Sequence, residues 1–140
     1  MDPVTVVQLA DAVKGLLHLS GQVVSRLYNY AQRVRKAPSE VEKLQRELVA
    51  FSNVLHSLNI SLPHCGNLSI GSLLQEDFLK DTRQLFEKIE NKIQLSKTFN
   101  KKRLKWPMTK NEVERYLTEL ERRKSTFSLV LNFAHWWKHR

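Results

Sequence analysis

Apolar residues recur every three or four positions along most of the chain, the spacing that places them on one side of an α-helix. The first such stretch runs from Val4 to about Lys36. Its apolar face consists of Leu9, Val13, Leu16, Leu17, Leu19, Val23, Leu27, Ala31 and Val34. The opposite face carries Gln8, Asp11, His18, Gln22, Arg26 and Asn29. Gly15 and Gly21 are the weak points of this helix, because each costs about 1 kcal/mol relative to alanine.

The second helix begins after Pro38, because proline ends the first helix at the residue before it. Ser39 and Glu42 have capping-box spacing at its start, and the helix ends near Ile60. Its expected inward residues are Val41, Leu44, Leu48, Phe51, Leu55 and Leu58. Breakers and turn formers follow, so residues 62–71 are predicted to form the longest loop.

Two more helices complete the pattern. Helix 3 runs from about Ser72 to Thr98, and a second capping box, Thr109 to Glu112, starts helix 4. Their expected inward residues are Leu74, Phe78, Leu85, Ile89 and Ile93 in helix 3, and Val113, Tyr116, Leu117, Leu120, Phe127, Leu131 and Ala134 in helix 4. No useful stretch alternates with a period of two, so no strand is expected. The pattern predicts an all-α, up-down helical bundle of four main helices with a long N-terminal amphipathic helix.

Length and composition indicate one folded domain. The chain has 140 residues, 41% hydrophobic and 26% charged, which is ordinary for a single globular domain spanning residues 1–140. Cys65 is the only cysteine, and no cleavable signal segment opens the chain, so we expect residence in the cytoplasm at rest. No run of about 18 apolar residues is present, so any membrane role is conditional.

No pattern in the chain indicates catalysis or a bound metal or cofactor. The adjacent pair His64-Cys65 has no third ligand nearby, and no phosphate-binding glycine loop or nucleophile elbow is present, so an enzyme is not expected. The acidic residues of helices 2 and 4 alternate with basic ones, which predicts solvated, salt-bridged faces. These residues are Glu40, Glu42, Glu47, Glu112, Glu114, Glu119 and Glu121 with Lys43, Arg46, Arg115, Arg122 and Arg123.

The formal net charge of +9 favours an anionic partner. Two basic clusters lie at inter-helix connections, Arg33, Arg35 and Lys36 in one and Lys97, Lys101, Lys102, Arg103 and Lys105 in the other. An up-down bundle brings both clusters to one end, where they would contact acidic membrane lipids. The alternative is that they serve solubility and offset the dipoles at helix C-termini.

Several segments together resemble a known family. They are Met1-Asp2-Pro3-Val4 before the first helix, Tyr30 ahead of Pro38-Ser39-Glu40, Glu47-Leu48 and Phe51-Ser52-Asn53-Val54-Leu55, Leu104-Lys105-Trp106-Pro107, then Glu112-Val113, Leu117, Leu120-Glu121-Arg122 and Lys124-Ser125. Over nearly the full length the chain resembles the fungal HeLo-like domain. That domain is the N-terminal cell-death effector of fungal NOD-like receptors, STAND proteins and amyloid-controlled cell-death proteins.

The resemblance implies a helical bundle similar to the four-helix killer domain of the necroptosis effector pseudokinase. It implies programmed cell death in heterokaryon incompatibility and fungal innate immunity. A downstream NACHT, ankyrin or amyloid-forming module, expected in a longer protein, would make the domain oligomerise and move to the plasma membrane. There the N-terminal helix would enter the bilayer and form a pore.

Three sets of residues would carry this function. The membrane-inserting set is Val6, Val7, Leu9, Val13, Leu16, Leu17, Leu19 and Val23; the lumen-facing polar set is Asp11, Lys14 and His18; the interfacial aromatic set is Trp106, Trp136 and Trp137. A charge at mid-bilayer costs about 2.5–3.5 kcal/mol, so insertion should require oligomers that share a wet lumen. In the resting domain the same apolar face is expected to line the bundle core, and the tryptophans are equally suited to packing.

Two rival functions remain open from the sequence. One is a non-lytic oligomerisation adaptor of a STAND receptor. The other is a basic helical module that binds nucleic acid through the same basic clusters, with Trp106 stacking on a base. No nucleic-acid partner is expected, because the chain lacks a recognition-helix pair, a zinc finger and an aromatic RNA-binding strand.

Overall fold

Four helices make up most of the chain in the computed structural model, which describes residues 6–34, 38–64, 74–98 and 106–138. They are α1 (Val6–Arg33), α2 (Ser39–Ser61), α3 (Glu76–Thr98) and α4 (Lys110–Lys138), and a 3-10 turn, Leu62–His64, follows α2. No strand occurs within these ranges. The all-α class and the four main helices are therefore confirmed.

One of the two predicted capping boxes is present in the structure and the other is absent. At α4 the Thr109 hydroxyl accepts a hydrogen bond from the Glu112 backbone N–H at 3.1 Å, which confirms the capping box. At α2 the N-cap is Pro38 and no side chain caps the helix. The Ser39 capping box is thus wrong, because Ser39 is the first helical residue and Pro38, with a ψ of 151° outside the helical range, occupies the N-cap position.

Helix α3 begins later than the sequence pattern indicates. The expected start was about Ser72, whereas Leu74 and Gln75 are not helical and α3 begins at Glu76. Acidic residues Glu76 and Asp77 occupy its first turn, where negative charge is favoured by the helix dipole. Leu74 is buried as predicted, but in the segment that leads into the helix.

Helix α2 has the most extensive contacts, packing against both α1 and α4, while α1 also packs against α3. Three fully buried rings fill the centre. Phe51 of α2 meets Phe86 of α3 edge-on with ring centroids 5.0 Å apart, and it meets Phe127 of α4 at 5.6 Å. All six inward residues predicted for α2 are buried, whereas Phe86 and Val130 are core residues that the predicted stripes omitted.

Candidate functional site

The inner face of α1 is part of the hydrophobic core. Five of its predicted apolar residues are buried at helical spacing: Leu9, Val13, Leu16, Val23 and Leu27. Leu17 and Leu19, at the edges of this face, are partly buried and pack against the same core. Six of the eight residues predicted to insert into a membrane are thus buried or partly buried in the bundle in this structure: Leu9, Val13, Leu16, Leu17, Leu19 and Val23.

Two further positions on α1 bear on this face. Val7, one of the predicted membrane-inserting residues, is 72% exposed, because a spacing of two residues turns its side chain about 200° away from Leu9. Val7 therefore does not share the buried face of α1 in this structure. Ser20 is fully buried, and its hydroxyl donates to the Leu17 carbonyl at 2.8 Å, so the helix itself satisfies this polar group. The spacing Leu16, Ser20, Val23 would have indicated this position. The side chain of Val6 lies outside the described part.

The opposite side of α1 is exposed and mostly uncharged. Asp11, Lys14 and His18 all lie there, and a His18 ring nitrogen is 3.1 Å from the Gln22 amide nitrogen. Gly15 and Gly21 are also exposed, and a Cβ added to either would meet nothing within 4 Å. The glycines therefore do not serve close packing in this structure.

Ion pairs join α4 to α2 and to α3. Lys124 of α4 pairs with Glu47 of α2 at 2.8 Å, and Lys92 of α3 pairs with Glu112 of α4 at 3.1 Å. Glu47 and Lys124 have only 17% and 22% of their side chains exposed. The prediction that Glu47 belongs to a solvated face is therefore wrong, because Glu47 and Lys124 meet across the helix interface.

Arg123 makes the most extensive set of polar contacts between helices. Its Nε donates to Glu119 at 2.9 Å, and its Nη1 donates to the Phe78 carbonyl at 3.3 Å and to the Thr82 hydroxyl at 3.1 Å. The guanidinium also lies over the Phe78 ring, 5.1 Å from the centroid. Arg123 was predicted to be solvated but has only 15% of its side chain exposed, because these partners replace water.

Among the described residues, the pKa of two groups departs from the ordinary value. The hydrogen bond with Lys92 lowers the pKa of the Glu112 carboxyl, with a further contribution from Thr109. Burial raises the pKa of the Tyr30 phenol, because the charged form is poorly solvated there. Both effects belong to structural contacts between elements.

Helix α1 is joined to α3 by an ion pair in which Arg26 lies 3.3 Å from Glu90. The side chains buried along the first two thirds of α1 are apolar except Ser20, which bonds within α1. Apolar contact is thus the main attachment of that part of the helix.

The predicted basic clusters fall mostly outside the described residues. Arg33 is exposed in the last turn of α1. Lys97 belongs to α3, but its side chain lies outside the part of the chain that the structure describes. Arg35, Lys36, Lys101, Lys102, Arg103 and Lys105 also lie outside the described residues.

The tryptophans differ in their surroundings. Trp106 is partly buried, and its ring lies 5.2 Å from that of the buried Tyr30 of α1. Trp106 therefore packs against the core in this structure, and its role as an interfacial aromatic residue stays a prediction. Trp136 of α4 is 54% exposed, and its ring is 5.9 Å from Phe133. Trp137 belongs to α4, with its side chain outside the described part.

The described ranges contain no group of three or more His, Cys, Asp or Glu side chains able to hold a metal ion. Within the same ranges, none of the four helices contains a stretch with the length and hydropathy of a membrane-spanning segment. Comparison of the chain with protein-family models, with curated proteins and with solved structures finds no match.

Proposed function

We propose that this chain is a membrane-targeting, pore-forming cell-death effector domain of the HeLo-like kind. On activation it oligomerises, and α1 leaves the bundle and enters the plasma membrane. The observation that carries the proposal is the unequal attachment of the helices. The first two thirds of α1 are held mainly by apolar contact, with the Arg26–Glu90 ion pair lying further along the helix, whereas polar contacts of Lys124, Glu112 and Arg123 join α4 to both α2 and α3.

Energetics favour a direct transfer of α1 from core to lipid. Burial of a leucine or valine contributes about 1.5–3 kcal/mol, so exposing the five buried leucine and valine residues of α1 to water would cost on the order of 10 kcal/mol. Transfer of these side chains from the protein core to the hydrocarbon of a bilayer keeps most of that free energy, because they stay out of water. The charges of Asp11 and Lys14 oppose insertion of a single helix, which favours an oligomer in which they face a shared lumen.

The proposal includes an up-down order of the four helices. Phe78 of α3 contacts Phe127 of α4, and Lys92 of α3 contacts Glu112 of α4. Residue numbers rise along α3 and fall along α4 between these contacts, so the two helices are antiparallel. The Tyr30–Trp106 contact brings the last turns of α1 next to the segment that leads into α4. Both observations support an arrangement in which Arg33 and the basic residues 97–105 share one end and attract acidic lipid.

The remaining parts of the proposal follow from the resemblance. The domain would be cytoplasmic at rest and would respond to a downstream NACHT, ankyrin or amyloid-forming module. Its partners would be other copies of the chain and acidic membrane lipids.

The test follows α1 by site-specific fluorescence. In a Cys65→Ser background, Leu17→Cys on α1 or Gln84→Cys on the exposed side of α3 carries an NBD label. A C-terminal histidine tag and nickel-chelating lipid concentrate the protein on phosphatidylcholine–phosphatidylserine vesicles, in place of a downstream module. We expect release of an entrapped dye together with quenching of the residue-17 label by acyl-chain doxyl lipid, and no quenching at residue 84.

Three outcomes would contradict the proposal. Dye release without quenching at residue 17 would mean that another element perturbs the bilayer. Oligomerisation with neither release nor quenching would indicate the non-lytic adaptor instead. Deleting residues 1–22 should abolish release, and full release by a truncated chain that remains helical by circular dichroism would also contradict insertion of α1.

A further inference from the structure

Charge is unevenly distributed along α2 and α4, although the chain carries a formal net charge of +9. In α2 no Asp, Glu, Lys or Arg follows Glu47, and in α4 none lies between Lys124 and Lys138. Residues 48–61 of α2 and residues 125–137 of α4 are therefore free of formal charge.

These two uncharged stretches lie side by side. Glu47 contacts Lys124, with Oε1 2.8 Å from Nζ, and Phe51 meets Phe127 with ring centroids 5.6 Å apart. From the first contact to the second, residue numbers rise along both helices, so α2 and α4 run in the same direction here. Since α2 and α4 also pack closely, the stretches that follow these contacts are neighbours. We call the exposed side chains of residues 53–60 and 125–136 the uncharged face.

Large apolar side chains protrude from this face. Leu129 is 63% exposed, and Trp136 and Ile60 are each 54% exposed. Leu129 and Trp136 are seven residues apart, about two turns, so they share the outer line of α4. Phe133, which contacts Trp136, is partly buried beside them. Three of the six large hydrophobic residues classed as exposed in the described ranges thus belong to the uncharged stretches of α2 and α4.

We propose that the uncharged face docks on the surface of an acidic lipid bilayer. Residues at a bilayer interface lose water, which is costly for formal charges and favourable for leucine, isoleucine and tryptophan. In sequence, Trp136 and Trp137 are followed by Lys138, His139 and Arg140, and tryptophan next to basic residues is typical of the membrane–water interface. The uncharged face supplies the apolar contact, and the surrounding positive chain supplies the attraction to anionic headgroups.

Charge also favours a bilayer over a second copy of the chain. Two copies approaching through this face would each carry +9, whereas an acidic membrane attracts that charge. The residues of this docking surface are distinct in sequence from the basic clusters of residues 33–36 and 97–105. The inference rests on the proposed function only for its choice of a membrane as partner, and binding tests it independently of dye release.

The experiment measures partitioning of the full chain to phosphatidylcholine–phosphatidylserine vesicles. The test variants are Leu129→Gln with Trp136→Gln, and Ile60→Gln alone. Matched controls are Tyr28→Gln, an aromatic residue of α1 that is also 54% exposed, and Val49→Gln, which is exposed near the middle of α2. We expect the double variant to lose on the order of tenfold in partition coefficient. Ile60→Gln should lose less, and the controls should match the wild type.

Circular dichroism and the melting temperature establish that each variant is folded, and Ile60→Gln provides the test if the double variant is not. Equal binding of folded test variants and wild type would overturn the docking surface. An equal loss in the controls would overturn it too. Sedimentation would reveal self-association instead. A wild-type chain that is dimeric and a double variant that is monomeric would make this a self-association surface and overturn the proposal. Reduced binding with unchanged dye release per bound molecule would support docking here, independently of whether α1 inserts.

Discussion

Arg26 of α1 and Glu90 of α3 form an ion pair in which the Arg26 Nε lies 3.3 Å from a Glu90 carboxylate oxygen. Their side chains are 32% and 16% exposed, so each charge is partly shielded from water. This pair joins the helix that we propose leaves the bundle to the helices that remain. Its loss should therefore affect α1 more than the rest of the molecule.

Glu90→Gln should lower the free energy of unfolding by about 1 kcal/mol, because the shielded Arg26 loses its counter-charge. Hydrogen exchange followed by mass spectrometry should show faster amide exchange in α1 than in α4. Glu87→Gln is the matched control, since Glu87 pairs with Arg83 on the exposed surface of α3 itself. Equal acceleration in α1 and α4 would contradict a specific role in holding α1.

Gly15→Ala and Gly21→Ala should each stabilise the domain by up to about 1 kcal/mol. Both glycines are helical and exposed, and an added Cβ meets no atom within 4 Å. The gain comes from reducing the freedom of the unfolded chain. Denaturant titration measures it, and a lower midpoint for either variant would show that the glycine relieves a constraint.

Arg123→Met should destabilise the domain by about 2 kcal/mol, because the contacts to Glu119, the Phe78 carbonyl and Thr82 are lost together. Arg123→Lys should lose a large part of the same stability, since an ammonium cannot reproduce the planar arrangement of donors. Arg122→Met is the control, because the Arg122 side chain is 76% exposed and its change should stay within about 0.5 kcal/mol. Similar melting temperatures for the two methionine variants would contradict this account.

Glu112→Gln should lower the melting temperature at pH 7 and have less effect in acid. The folded state lowers the pKa of Glu112, chiefly through Lys92. Its ionised form therefore adds stability above the ordinary carboxyl pKa, and that contribution is lost as the pH falls through the lowered value. Comparing melting temperatures of variant and wild type from pH 7 to below about 4 tests the sign. A difference that grows in acid would be the wrong sign.

The helices and most of the core could be predicted because apolar periodicity reports burial directly. The stripe of α2 is buried as expected, as are Leu9, Val13, Leu16 and Val23 of α1. Charged and polar residues at inward positions could not be predicted this way. Arg123 and Lys124 lie at such positions because partners on α3 and α2 satisfy them, and those partners are distant in sequence.

The candidate site was predicted less completely for a similar reason. Burial of Trp106 depends on Tyr30, 76 positions earlier in the chain, so no local pattern distinguishes it from an interfacial tryptophan. The uncharged face depends on which helices are neighbours, which a single stretch of sequence does not specify. Membrane insertion of α1 stays a prediction, because one set of apolar residues suits both a protein core and lipid.

The central position of α2, which packs against α1 on one side and α4 on another, has a consequence for how activation depends on concentration. Departure of α1 would uncover apolar surface on α2 and α3, and the most accessible cover for that surface is the same surface on another copy. Departure and self-association would then be linked by mass action, since each copy that opens stabilises the next. Opening should therefore rise more steeply than in proportion to local protein density, so that dispersed copies stay closed and clustered copies open together.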